Sequence, residues 1–121
     1  EIPYNFIMPA KGGEHLAQAA KQFKQDFMDE TNEFQIDVDY NSYHENKSCC
    51  GKSCGKQGMA SQNVTNTFDC LAMVLEMPFK DNNNQPNMRT GWSAKRSQNL
   101  GKDILLPVLT FLQSTQKNVN P

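Results

Sequence analysis

The stretch Cys70-Leu71-Ala72-Met73-Val74-Leu75-Glu76-Met77-Pro78-Phe79 decides the architecture: eight of its ten residues are apolar, and a carboxylate stands near its end. A short, near-continuous apolar run bounded by turn signals predicts a strand buried on both faces, the kind found in a parallel or mixed sheet covered by helices. Glu76 is the exception within it. An ionised carboxylate is costly to bury unless it is paired, coordinated or put to use. It falls at the strand's carboxyl end, just before Pro78 stops the hydrogen-bond ladder, and ligands of open α/β sheets bind at that end. A glutamate in this position can equally point into solvent or pair with a lysine such as Lys80.

Upstream of the strand, Ile2 to Met8 is short and apolar between Pro3 and Pro9, which suits an extended segment and excludes a long central strand. After Lys11-Gly12-Gly13 the period changes. Leu16, Ala19, Ala20, Phe23 and Phe27 recur at three and four residues, predicting an amphipathic helix from about Glu14 to Glu30. Phe34, Ile36 and Val38 then alternate with Gln35, Asp37 and Asp39, predicting an edge or half-exposed strand. Tyr40 to Ala60 has no period at all, and a connection of that length inside a compact domain is usually functional or mobile. Ser61 can cap a short helix through Phe68.

Downstream, Lys80 to Met88 is a polar loop rich in asparagine. Ser93 is a good N-cap for a helix whose inward face is Leu100, Ile104, Val108, Phe111 and Leu112. Pro107 falls inside that helix and predicts a kink or break just before it. Gln113 to Pro121 reads as a fraying tail. Helix, strand, loop, strand and helix in this order predict α/β layering.

At 121 residues the chain suits one domain. Twelve Lys and Arg against thirteen Asp and Glu, a net charge of -1, leave no electrostatic footprint for nucleic acid or an anionic membrane. A hydrophobic share of 37% with mean hydropathy -0.70 is polar for a self-sufficient globule, so part of the core is expected to come from residues beyond these. No apolar run reaches the roughly 20 residues that span a bilayer, and the start lacks a signal-peptide layout. The chain opens on Glu1 rather than Met, which leads to the expectation of a processed or trimmed start. Its four cysteines do not make the spaced framework of a disulfide-stapled secreted domain, so a cytoplasmic protein is expected.

Cys49, Cys50 and Cys54 with His44 place four soft ligands within eleven positions, and tetrahedral zinc takes Cys and His. Adjacent cysteines rarely both turn to one ion, and a Cys50–Cys54 disulfide or free loop thiols are the competing readings. Cys70, on the strand, reads as a small core residue. His15 falls opposite the helix's phenylalanines and reads as a surface residue. From the residues alone, Glu76 is the one strong candidate for chemistry.

Leu75-Glu76-Met77-Pro78-Phe79-Lys80-Asp81, followed by Gly91-Trp92-Ser93, Arg96-Ser97 and Leu100-Gly101, resembles the C-terminal part of zinc metallocarboxypeptidases, in particular bacterial members of the cytosolic carboxypeptidase subfamily. Ile2-Pro3-Tyr4-Asn5-Phe6 resembles the segment that follows a His-Gly-Asp-Glu motif in those enzymes. The resemblance runs from Glu1 to about Leu112, and the cysteine loop is its main departure. It implies a three-layer fold with a mixed, largely parallel sheet flanked by helices, of which residues 1–121 are the C-terminal portion. It also implies hydrolysis of the C-terminal peptide bond of peptides or protein tails. Glu76 would be the general base and acid acting on zinc-bound water, and Tyr40 or Tyr43 the mobile-loop tyrosine near the substrate carboxylate. The zinc ligands and the carboxylate-binding arginine belong upstream of Glu1, in the rest of the catalytic domain. The rival expectation is a stand-alone, non-catalytic α/β module that binds a metal through His44, Cys49, Cys50 and Cys54, or binds a peptide end without cutting it.

Overall fold

Two short strands and four helices are built by residues 2–38 and 60–119, the part of the chain that the computed structural model describes. Strand β1 (Phe6–Pro9) pairs antiparallel with β2 (Met73–Glu76), in the register Phe6 to Glu76, Ile7 to Leu75, Met8 to Val74 and Pro9 to Met73. The Ala10 N–H donates to the Ala72 carbonyl at 2.9 Å and extends the ladder by one step. On the other side of β1, Asn5 makes a single parallel bridge to Phe34.

Helix α1 (Glu14–Glu30) keeps the predicted span and buries Leu16, Ala20, Phe23 and Phe27, one stripe at three- and four-residue spacing. Its solvent face is tied by side-chain bonds four residues apart, Gln22 to Asp26 at 2.8 Å and Gln25 to Asp29 at 2.9 Å. The core is Ile7, Phe23, Phe27, Phe34 and Leu100, with Ile36, Met73, Leu75, Trp92, Ile104 and Phe111 packed against it. Phe27 and Phe34 stack with ring centroids 4.6 Å apart.

Helix α2 (Ala60–Phe68) begins one residue before the expected cap, so Ser61 lies within it. It ends where Asp69 turns left-handed, at φ 48, and there Thr65 Oγ1 donates to the Cys70 carbonyl at 3.0 Å. Gln62 fastens α2 to the loop after β1 by exchanging bonds with Lys11, its amide oxygen accepting at 3.0 Å and its amide nitrogen donating at 2.8 Å. Helices α3 (Ala94–Asp103) and α4 (Leu105–Val119) replace the single C-terminal helix of the sequence pattern. The break falls at Ile104, three residues before Pro107, whose missing N–H leaves the Asp103 carbonyl without its helical donor. Ser93 caps α3 as expected, its Oγ accepting from the Arg96 N–H at 3.4 Å. α4 continues to Val119, beyond the point where the pattern suggested fraying.

Three expectations change. The Cys70–Phe79 run is extended only over Met73–Glu76 and is half-buried rather than enclosed, because among the described residues β2 has a strand on one edge only. Cys70 is exposed rather than in the core, since the Thr65 bond to its carbonyl holds it in the turn that leaves α2. Phe34 and Ile36 do face the core, but among the described residues the alternation there makes one bridge, Phe34 to Asn5, and no strand. The described sheet is therefore a two-stranded antiparallel ribbon inside a mixed α/β arrangement. Among the described residues no helix is long and apolar enough to cross a membrane.

Phe27, with no exposed surface, is the keystone of this core. Phe27→Ala is expected to lower the unfolding free energy by about 3–5 kcal/mol. Urea denaturation of the intact protein is the check, and a loss below about 1 kcal/mol would mean that the site collapses around the missing ring.

Candidate active-site wall at the carboxyl end of strand β2

Glu76 is the last residue of β2, half-buried and directly across from Phe6. Among the described residues its carboxylate accepts no hydrogen bond and joins no ion pair. A half-buried carboxylate at a strand end, within reach of a substrate, is the kind of group that can take and return a proton.

The chain leaving Glu76 is held far more tightly than its loop composition suggests. Arg96, on the first turn of α3, spends all five guanidinium N–H groups on it and on the segment after α1. Nε donates to Glu33 Oε1 at 2.9 Å and Nη2 to Glu33 Oε2 at 2.7 Å, a two-point grip. Nη2 also reaches the Gln85 carbonyl at 2.6 Å, while Nη1 donates to Asp81 Oδ1 at 2.6 Å and to the Gly91 carbonyl at 2.9 Å. The guanidinium lies 4.8 Å from the centre of the Trp92 ring. The Arg96 side chain is 13% exposed, so water competes weakly for these bonds.

Asn82, fully buried, adds a second tie to Glu33. Its Nδ2 donates to Glu33 Oε2 at 2.7 Å and to the Glu33 carbonyl at 2.9 Å. The same carbonyl accepts Nδ2 of Asn5, also fully buried, at 2.7 Å. The Asn83 N–H closes onto the Pro3 carbonyl at 2.9 Å. At the far end of the loop the Trp92 N–H donates to the Lys80 carbonyl at 2.7 Å, an approach only glycine permits at position 91. Gly91 is left-handed, at φ 57, and a Cβ there would collide with that carbonyl oxygen.

The charges respond to this packing. Asp81 is held below the usual carboxylate range, chiefly by the Asn87 N–H and further by Arg96 and the Asn82 N–H, against the opposing effect of partial desolvation. Arg96 is raised above its ordinary value, first by its bond to Glu33 and then by Asp81. It is a permanent cation here.

Of the residues singled out in the sequence, Glu76 lies at the predicted strand end. Tyr40, Tyr43, His44, Cys49, Cys50 and Cys54 fall outside the described residues. His15 is on the surface as expected, with Nε2 3.4 Å from Asp69 Oδ1 and both side chains well exposed. Glu33, Asn82 and Arg96 were not anticipated as a unit. The available signal was the density of amides and carboxylates over Asp81–Asn87, followed by a cap serine with arginine three residues on.

With this geometry in view, the likeness to known proteins is specific. No family model matches the chain. A metallo-carboxypeptidase from Burkholderia cenocepacia superposes with a TM-score of 0.78 at 29% identity, over 93% of this chain and 29% of that one. A metallo-carboxypeptidase from Pseudomonas aeruginosa, crystallised with (2-guanidinoethylmercapto)succinic acid, gives 0.77 at 33% identity, over 93% of this chain and 29% of its own. An uncharacterised protein of Zymomonas mobilis is 27% identical over 104 residues, which are 86% of this chain and 27% of that protein. The chain thus spans under a third of the length of the proteins it matches. Its fold is similar to the corresponding part of metallo-carboxypeptidases. Such enzymes imply a metal, yet among the described residues no group of three or more His, Cys, Asp and Glu side chains is placed to hold one. The described residues do not supply a coordination shell.

The depressed Asp81 carboxyl carries a pH signature. A group whose pKa is lower folded than unfolded contributes stability that is complete above the unfolded value, about 4, and is lost as pH falls through the folded one. Thermal unfolding recorded against pH should show stability falling below about pH 4, and Asp81→Asn should flatten that acid limb. An unchanged slope would remove Asp81 as its source.

Proposed function

We propose that this chain is one wall of a zinc metallocarboxypeptidase catalytic domain of the bacterial cytosolic carboxypeptidase type. The enzyme removes C-terminal residues from peptides or protein tails. The observation that carries this reading is the fold likeness to two metallo-carboxypeptidases across 93% of the chain. It is supported by the half-buried carboxylate of Glu76 at the end of β2, which has no partner among the described residues.

In this reading Glu76 is the proton shuttle. Its carboxylate accepts a proton from the attacking water and returns it to the leaving amine, work that suits a partly shielded carboxylate within hydrogen-bond reach of both. Zinc is held by residues upstream of Glu1, where the group that binds the substrate carboxylate also lies. Tyr40 or Tyr43 contacts the substrate.

The same proposal accounts for the apolar surface. Phe79 is 88% exposed, Met88 98% and Leu105 64%, and Leu106, Leu109 and Leu112 are exposed along α4. Exposure on this scale marks a contact surface rather than a finished exterior. Beside it, β2 has a free edge among the described residues. The upstream part of the domain covers these faces and extends the ribbon into a larger mixed sheet between helix layers.

The test is Glu76→Gln in the intact protein, followed by release of the C-terminal amino acid from a peptide. Turnover is expected to fall by about 10²–10⁴-fold, with metal content and peptide affinity nearly unchanged. A variant that keeps most of its activity would exclude Glu76 as the base. A wild-type protein that binds peptide ends without cutting them would favour a non-catalytic module instead.

A further inference from the structure

We infer that Glu33, Asn82 and Arg96 form a positioning clamp for Glu76, an inference that rests on the proposed role of Glu76 as the base. Because β1 and β2 run antiparallel, the start of β1 lies beside the end of β2, and Phe6 faces Glu76. The two chain segments flanking that end converge on one atom. Asn5, the residue before Phe6, and Asn82, six positions after Glu76, both donate side-chain amides to the Glu33 carbonyl, at 2.7 and 2.9 Å. Asn83 to Pro3 at 2.9 Å sews the same two segments together directly.

Glu33 can serve as this anchor only if it is itself fixed. It lies outside helix and strand, and α1 ends at Glu30. Thr31 Oγ1 accepts the Glu33 N–H at 3.3 Å, and the carboxylate is gripped at both oxygens by Arg96 and at one by Asn82. Arg96 in turn lies on the first turn of α3, whose Leu100 is in the core at 1% exposure. Position is therefore passed from the core through α3, Arg96 and Glu33 to the two backbones that bracket Glu76. None of the three clamp residues has a bond to the Glu76 carboxylate, so they act on it through the backbone and not on substrate.

The experiment compares Asn82→Ala and Arg96→Lys with wild type in the intact, metal-loaded protein. It measures kcat and KM on one peptide substrate per bound metal, together with thermal unfolding. Asn82→Ala cuts the side-chain tie between the β2 exit and the Glu33 carbonyl and leaves the Arg96–Glu33–Asp81 ion pairs in place; Arg96→Lys keeps the charge and loses the two-point grip. The expected result for both is a kcat lower by about 10–100-fold, with KM within about threefold and metal content unchanged, as a small displacement of a reacting group produces. A kcat within about twofold of wild type in either folded, metal-loaded variant would overturn the clamp. Loss of metal or of the folded state in both would also overturn it, by making the network a structural support alone. If Glu76→Gln is inactive while these variants retain kcat, only the clamp fails. If Glu76→Gln retains activity, the proposed base fails first.

Discussion

A single guanidinium decides how the second half of the described structure is arranged. Arg96 meets two carboxylates, two carbonyls and an indole ring, and in doing so brings together the exit of α1, the loop after β2 and the start of α3. A partly buried cation of this kind is not a simple source of stability. Its desolvation offsets much of the attraction, whereas removal of one partner leaves the other charges unpaired. What such a network supplies is uniqueness of arrangement. A polar loop from Lys80 to Trp92 has many conformations of similar energy, and one set of five donors in a rigid plane is compatible with few of them.

The hydrophobic part of the fold is lopsided by comparison. α1, β1 and Phe34 make a dense core, while α4 keeps apolar side chains at the surface and half-buried β2 has, among the described residues, a strand on one edge. The low hydrophobic content noted in the sequence agrees with this asymmetry. The polar network lies at the loop joining β2 to α3.

Legibility from sequence followed the range of the interactions. α1 was readable to its boundaries because a 3.6-residue period records burial directly, and the Ser93 cap and Pro107 break were readable because each acts within one turn. The β2 run was harder. A continuous apolar segment carries no period-two signal, so its residues could not be assigned to faces, and the number of its neighbours is a property of chain elsewhere. The Phe34–Ile36 alternation gave the correct side but not the ladder, which needs a partner of matching length. Glu76 stood out from the residues alone as the one strong candidate for chemistry, an unusual carboxylate at a strand end; its role as a base came only through resemblance to a motif. Glu33, Asn82 and Arg96 left almost no trace, since a hydrogen bond between positions 33 and 96 imposes no local pattern on either.

That separation bears on the order in which the molecule assembles. The Arg96 bonds to Glu33 span 63 positions and the Asn82 bonds to Glu33 span 49, whereas α1 and α3 close on themselves within single turns. Bringing such distant residues together costs chain entropy before any bond repays it. The helices can form first, and the loop behind Glu76 locks only once the segment after α1 has met α3. Interactions that arrive after the rate-limiting step slow unfolding more than they speed folding. The network around Arg96 is thus suited to keeping the end of β2 closed in a finished molecule, and contributes little to how quickly that molecule is made.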